Sequence, residues 1–324
     1  MKLSVVILNW NGKNDTLACL TSLENQTPCF AIIVVDNGST DDSVTEIKKR
    51  FPRITLLKTD KNLGYAGGNN VGIQYALKQG ADLILLLNND TIVDKQFIAT
   101  LLKAAQGSSK AGIFGAYPLR MDDPEKIDHL GGRWNSLTAT FDLIGLGAPK
   151  GFKPKQLLDY VCGCSILVRR QVFETIGLLD PTFFLFWEEA DFCMRAKKAG
   201  FGIEICYEAQ LLHKVSASFV GGTPHKTYFW WRGRFLWMER NCSKEEKEWL
   251  YKTVLFPELR HLLKLRLLKS FQFLLLTLMQ RKNLSQKKNK LLQYKAAIEG
   301  YRDFRKASFG SGPDWLLGNT IYQK

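Results

Sequence analysis

Short, largely apolar runs recur through the first third of the chain, and each closes on a polar cluster. Leu3–Leu8 ends in Asn9-Trp10-Asn11, Ile32–Val35 in Asp36-Asn37-Gly38-Ser39-Thr40, and Leu83–Leu87 in Asn88-Asn89-Asp90-Thr91. Unbroken apolar runs of this length predict strands buried on both faces, as inside a parallel sheet. A further short strand is predicted at Ile54–Lys58. Between these runs the periodicity turns helical: over Thr16–Asn25, from Asp41 or Asp42 to about Arg50, and over Gly64–Gln79, where Gly80 ends the helix. Strands alternating with helices of roughly ten to fifteen residues predict βαβ units, hence an α/β fold around a mostly parallel sheet with helices on both faces.

From about Pro118 the pattern loosens into a glycine-punctuated region with a few antiparallel strands expected. Tyr160–Val168 reads as one strand, Arg169–Ile176 as a short helix, Glu189–Gly200 as a helix and Ile203–Tyr207 as a strand leading on to His213. Residues 223–240 are dense in aromatics and arginine, and residues 255–280 are strongly apolar but carry Arg260, Lys264, Arg266 and Lys269.

Charge sharpens this division. The chain has a formal net charge of +14, yet residues 242–324 hold 17 Lys and Arg against 7 Asp and Glu, so the basic character belongs to the tail. No uncharged run there reaches the ~18 residues that a spanning helix requires. A basic, apolar helical stretch over 255–306 is expected instead to lie on an anionic membrane surface. Its charges are interleaved with apolar residues rather than with a base-stacking platform, so nucleic acid is not an expected partner. The seven scattered cysteines form no disulfide framework, and Cys162-Gly163-Cys164 lacks the spacing of a zinc or redox motif. Reduced thiols, a start directly in a strand and no cleavable leader pattern point to the cytoplasm, peripheral to the inner face of the membrane.

Candidate chemistry follows from the strand ends. Parallel strands point the same way, so their polar termini line one edge of the sheet, where such folds place ligands. Carboxamides and carboxylates at Asn9, Asn11, Asp36 and Asn37 match base edges and sugar hydroxyls. Asn88-Asn89-Asp90 suits a metal-bound diphosphate, although three such residues could also simply turn the chain and cap a helix near Asp94. The glycine-rich stretch Lys61–Asn69 lets backbone approach a ligand closely ahead of a helix N-terminus. In the second half, an aromatic run, Phe183–Trp187, leads into Glu188, Glu189 and Asp191. Apolar surroundings raise a carboxylate pKa and suit it to proton transfer, and a strand-end histidine such as His213 is able to ligate a metal.

Five motifs stand in order: Asn9-Trp10-Asn11; Val35-Asp36-Asn37-Gly38-Ser39-Thr40-Asp41; Asn62-Leu63-Gly64-Tyr65-Ala66-Gly67-Gly68-Asn69-Asn70; Leu87-Asn88-Asn89-Asp90; and Trp187-Glu188-Glu189-Ala190-Asp191. Together, across residues 3 to about 240, they resemble the family-2 inverting glycosyltransferases, in particular the bacterial rhamnosyltransferase-like branch. The resemblance implies a GT-A fold, a nucleotide-diphosphosugar donor such as dTDP-rhamnose, a divalent Mg²⁺ or Mn²⁺, and a cell-envelope or lipid-linked glycan as acceptor. Carried over, Asp36 and Asn37 would bind the nucleobase and ribose. The donor set is completed by Asn9, Asn11, Asn62, Gly67, Gly68, Asn69, Asn88, Asn89 and Asp90. Asp90 would be the retained carboxylate of the metal motif, with His213 and Asn88 as further ligands. Glu189 would be the general base, with Glu188 as the neighbouring alternative and Asp191 positioning acceptor groups. Two positions depart from the family pattern. Asn88 replaces the first carboxylate of the metal motif, which removes one charge and keeps an oxygen ligand. Glu189 replaces an Asp, which adds one methylene of reach.

The expected organisation is a transferase domain over 1–241, divided into a nucleotide-binding half (1–117) and an acceptor and catalytic half (118–241). A basic amphipathic helical extension follows over 242–324. The rival reading is a non-catalytic nucleotide-sugar or glycan-binding scaffold at the membrane surface.

Overall fold

The computed structural model describes residues 1–214, 223–278 and 284–317. The chain divides into two compact units: Met1–Trp134, Phe141–Pro181 and Glu188–Val215 form the first, and Asn135–Thr140, Thr182–Trp187 and Ser216–Lys324 the second.

The first ninety-odd residues carry β1 (Leu3–Asn9), α1 (Lys13–Leu23), β2 (Ala31–Asp36), α2 (Ser43–Arg50), β3 (Thr55–Lys58), α3 (Gly64–Lys78), β4 (Leu83–Asn88) and β5 (Thr91–Val93). Next come α4 (Phe97–Gly107), β6 (Ala111–Arg120), β7 (Gly131–Asn135), β8 (Thr140–Ile144), β9 (Tyr160–Val161) and β10 (Ser165–Arg169). The helices α5 (Arg170–Ile176) and α6 (Glu188–Lys198) and the long strand β11 (Gly202–His213) follow. An eight-stranded sheet has the order β3-β2-β1-β4-β10-β6-β11-β5, and a three-stranded sheet the order β8-β7-β9. The pairs β3–β2, β2–β1, β1–β4 and β6–β11 are parallel, while β10 runs antiparallel to both β4 and β6.

Leu83 to Leu87 are all buried, as an apolar run sandwiched between two neighbouring strands and two helical layers must be. Register brings the polar strand ends level: Asn9 pairs with Asp36 across β1–β2, and Leu8 with Asn88 across β1–β4. The glycines of α3 let that helix lie close on the sheet. A Cβ at Gly72 would collide with Val6 and sit 3.0 Å from Val35 Cγ2, and one at Gly68 would collide with Leu8 and crowd Asn37 at 3.1 Å.

Three readings of the sequence change here. Tyr160–Val168 is not one strand: Tyr160 and Val161 pair with Gly132 and Gly131 of β7, whereas Ser165 onward pairs with β4. The chain changes partner at Cys162-Gly163-Cys164, which therefore becomes a loop. Strand β11 outruns Tyr207 to His213, with a register shift between Ile205 and Gln210. Strand β6 was hidden in the sequence by its glycines and Pro118. Its backbone is covered by neighbours, since a Cβ at Gly115 would lie 2.7 Å from Val161 Cβ and 2.9 Å from Ile205 Cδ1.

The second unit is helical: α7 (Pro224–Asn241), α8 (Lys244–Leu250), a π-helical turn at Tyr251–Leu255, α9 (Phe256–Leu278), α10 (Ser285–Arg305) and α11 (Asp314–Leu317). The aromatic and arginine-rich stretch belongs to its core. Arg232 is fully buried and donates to the Gly310 carbonyl at 2.8 Å. Arg234 donates to the carbonyls of Ala139 at 2.8 Å and Thr138 at 2.6 Å and pairs with Glu258 at 2.6 Å. These bonds compensate two guanidinium groups that would otherwise be prohibitively costly to bury.

Candidate active site

Each polar strand end is built by hydrogen bonds between the motifs. The buried Asn9 carboxamide donates from Nδ2 to Asp36 Oδ1 at 2.8 Å and accepts at Oδ1 from the Thr16 hydroxyl at 2.7 Å. Asp36 Oδ2 also accepts from the Ser39 amide at 3.2 Å. Asn37 donates to Asn62 Oδ1 at 2.9 Å and accepts from the Leu63 amide at 2.9 Å, so it fixes the loop that opens α3. Asn11, with a left-handed φ of 50°, accepts from the Thr40 amide at 2.7 Å. Asn69 donates back along its own helix to the Tyr65 carbonyl at 3.0 Å. Thus Asn9, Asn37, Asn62 and Asn69 shape the first corner through internal bonds, and Gly67 and Gly68 through close packing. In particular, a Cβ at Gly67 would lie 2.9 Å from Leu63 Cβ.

The end of β4 differs. Asn89 is tied to the Thr16 hydroxyl at 2.9 Å, and the Asn88 backbone carbonyl accepts from the Thr91 hydroxyl at 2.7 Å. Asp90 Oδ1 is buried and has no hydrogen-bond partner among the described residues. It lies 3.4 Å from His213 Nε2, within ion-pair distance. Pairing of β5 with the end of β11 puts Thr91 opposite His213, which is why two positions far apart in sequence meet. The other nitrogen of His213, Nδ1, is held at 2.7 Å by Asp128 Oδ2. Burial pulls the His213 pKa down, but the bond to Asp128 and the Asp90 carboxylate outweigh it and hold the pKa up at about 10. Asp128, buried and yet kept below the usual carboxylate range by His213, was missed in the sequence. Its only signal there is an Asp-His pair, Asp128-His129, inside a glycine-rich region.

A carboxylate that fixes one imidazole nitrogen and aims the other at an unpartnered oxygen is the usual support of a metal-binding histidine. Asp90 Oδ1 and His213 Nε2 therefore fit a divalent cation on their own geometry.

The second cluster opens α6. Phe184, Phe186 and Trp187 all have left-handed φ values, between 66° and 74°. For bulky residues that conformation costs of order 1–3 kcal/mol each, strain that concentrates at functional sites. Glu188 is buried, and burial together with the adjacent Glu189 pushes its pKa well above the ordinary value. Glu189 is half-buried with Oε2 enclosed and without a partner among the described residues, and burial raises its pKa to about 7. Two adjacent carboxyl groups in one enclosed place cannot both ionise easily. The pair thus presents one neutral acid and one group poised to exchange a proton near neutrality. Asp191 is engaged otherwise: it pairs with Arg195 at 2.8 Å, whose guanidinium holds the Ile176 and Leu178 carbonyls at 2.7 and 2.8 Å.

The loop between β9 and β10 packs beside Glu189. A Cβ at Gly163 would lie 3.4 Å from Glu189 Oε1, and the Tyr65 hydroxyl donates to the Gly163 carbonyl at 2.8 Å. Cys162 Sγ lies 3.4 Å from both His129 Nε2 and Cys164 Sγ. The Cys164 contact, and then His129, hold the Cys162 thiol well below its ordinary pKa.

A parallel β3-β2-β1-β4 half, an antiparallel insertion and an acidic helix start define the GT-A class of nucleotide-sugar fold. The mannosyltransferase PcManGT of Pyrobaculum calidifontis, solved with GDP-mannose and Mn²⁺, shares it with a TM-score of 0.56 at 12% identity, over 93% of this chain and 87% of that one. Residues 4–177, more than half of the chain, match Glycosyl transferase family 2, and the protein belongs to that family. It is a glycosyltransferase. Among characterised relatives, it is 26% identical to the low-salt glycan biosynthesis hexosyltransferase Agl10 of Haloferax volcanii, over 78% of this chain and 80% of that protein. It is 25% identical to the dTDP-rhamnosyl transferase RfbF of Shigella flexneri, over 73% of this chain and 79% of that protein. It is 26% identical to the N-acetylglucosaminyl-diphospho-decaprenol L-rhamnosyltransferase of Mycobacterium tuberculosis, over 75% of this chain and 90% of that protein.

Proposed function

We propose that this enzyme moves L-rhamnose or a related hexose from a nucleoside-diphosphate donor, dTDP-rhamnose or similar, to a hydroxyl of a lipid-linked or cell-envelope glycan. The transfer inverts the anomeric configuration and uses Mg²⁺ or Mn²⁺. The observation that carries this reading is the buried Asp90 oxygen facing His213 Nε2, with Asp128 fixing the far side of the ring. The rhamnosyltransferase names of two relatives support the sugar, and the decaprenol-linked substrate in one of those names supports the acceptor.

Asp90 and His213, with the Asn88 carboxamide as a further oxygen ligand, would hold the cation. When bound it neutralises charge growing on the departing diphosphate. Asp36, held in place by Asn9 and Ser39, would face the nucleoside, with Asn37 bracing the loop beside it. Glu189 takes the proton of the acceptor hydroxyl as that oxygen attacks the anomeric carbon. The bond from that carbon to the diphosphate oxygen breaks, its electron pair leaves with the diphosphate, and attack from the opposite face inverts the centre. Burial and the adjacent Glu189 favour the neutral form of Glu188, which keeps a second negative charge away from the incoming oxygen. In this division of labour residues 1–117 handle the nucleotide, 118–241 the acceptor and the proton, and 242–324 the membrane. A panel of nucleotide sugars assayed for nucleoside diphosphate release is expected to give turnover with one deoxythymidine or uridine donor in Mg²⁺ or Mn²⁺, and little after chelation. Full turnover in chelator would refute the metal role.

The membrane part rests on α9. Leu267, Leu268, Phe271, Leu274 and Leu278 are each more than half exposed, on a helix that also carries Arg260, Lys264, Arg266 and Lys269. No helix among the described residues is long and apolar enough to cross a membrane. Residues 279–283 of the basic stretch lie outside the described residues. Exposed apolar area of this size matches interfacial insertion with cations reaching the headgroups. Sedimentation with vesicles containing anionic lipid is expected to carry the protein down. Serine at Leu267, Phe271 and Leu274 together should release it, whereas equal sedimentation of that variant would count against α9 as the contact.

A further inference from the structure

The loop Cys162-Gly163-Cys164 has a property that its spacing concealed. Two buried thiols, an imidazole and a carboxylate converge there from separate parts of the chain, because β9 and β10 part at this loop and the chain before β7 folds back over it. Cys162 Sγ is 3.4 Å from His129 Nε2 and 3.4 Å from Cys164 Sγ. One ligand atom each of Asp128, His129 and Cys162 lies within 4.8 Å of the others. Both sulfurs belong to buried, unbridged cysteines. His129 also has a buried Nδ1 without a hydrogen-bond partner among the described residues.

We propose that Cys162, His129 and Asp128, with Cys164 as the fourth donor, form a second cation site, selective for a thiophilic divalent ion of the Zn²⁺ class. Sulfur, imidazole and carboxylate donors at these separations suit four-coordinate Zn²⁺, while Mg²⁺ prefers oxygen ligands and water. Binding needs no redox partner. Cys162 and Cys164 bind as thiolates and His129 as neutral imidazole, and the protons they carry are released to solvent. This site differs in chemistry from the Asp90–His213 pair, yet Asp128 touches both, since its Oδ2 holds His213 Nδ1 at 2.7 Å. An ion on the cysteine side therefore draws on the same carboxylate that orients His213.

The test uses the full-length, reduced and metal-stripped protein. Zn²⁺ titrated against a chromophoric chelator is expected to bind tightly, and Co²⁺ in its place to show a thiolate-to-metal charge-transfer band. Cys162→Ser and His129→Gln should each weaken Zn²⁺ binding at least a hundredfold and remove or reduce that band, with folding checked by circular dichroism. Asp90→Asn should leave it unchanged, so failure of this site and failure of the diphosphate-metal assignment are separable. If Cys162→Ser does not fold, His129→Gln decides alone. No Zn²⁺ uptake by the wild-type protein, a Co²⁺ complex without the thiolate band, or equal binding by either variant would each overturn the proposal.

Discussion

Glu189→Gln is expected to lower turnover by ~10²–10⁴-fold, the usual contribution of a general base, while donor affinity stays near that of the wild type. The amide keeps the volume and polarity of the side chain but takes no proton. Because burial raises the Glu189 pKa to about 7, the wild-type rate should itself depend on pH in a definite direction. The base works ionised, so kcat/KM should climb through neutrality as pH rises and level off above it. Below that point it should fall about tenfold per unit as the carboxylate is protonated. In Glu189→Gln this acid limb should vanish. Glu188→Gln replaces a carboxyl whose burial already favours the neutral form, so its effect should be smaller and leave the limb in place. Retention of more than about a tenth of turnover by Glu189→Gln, or loss of the acid limb only in Glu188→Gln, would move the base to another residue.

Much of the fold is legible in the sequence, and the reason is the sheet. Leu83–Leu87 is apolar because both of its faces are buried, and its polar end follows from where a parallel sheet meets solvent. The same logic fixed β1 and β2, and the register then made Asn9 and Asp36 neighbours. What stayed hidden depends on contacts that no local pattern encodes. β6 contains Gly112, Gly115 and Pro118, and its glycines answer to side chains of other elements. Asp128 meets His213, eighty-five positions away, only through the fold. The break at Cys162–Cys164 is a change of strand partner, and partner choice is a property of the sheet rather than of the run of residues. Asn37 and Asn69 show a subtler gap, since their side chains turn inward to brace the loop rather than reaching into open space.

Asp90→Ala should abolish the metal dependence of donor binding. Wild-type protein is expected to bind the nucleoside diphosphate more tightly with Mn²⁺ than without it, and the variant equally weakly in both conditions. The expectation rests on charge: Asn88 supplies only a neutral carboxamide, so Asp90 is the single carboxylate at this strand end, and its buried oxygen has no other partner among the described residues. Asp128→Asn should give a graded version of the same loss. The Asn oxygen still accepts from His213 Nδ1, so the ring keeps its orientation, but the negative charge that makes Nε2 a better donor is gone. Loss of such an outer carboxylate typically costs ~10–100-fold in metal affinity. Calorimetric titration with Mn²⁺ should therefore rank wild type above Asp128→Asn and Asp128→Asn above Asp90→Ala. If Asp90→Ala still gains donor affinity from Mn²⁺, the cation sits elsewhere. If Asp128→Asn matches the wild type while Asp90→Ala fails, Asp90 binds the metal without His213, and the imidazole serves only as a cation beside it.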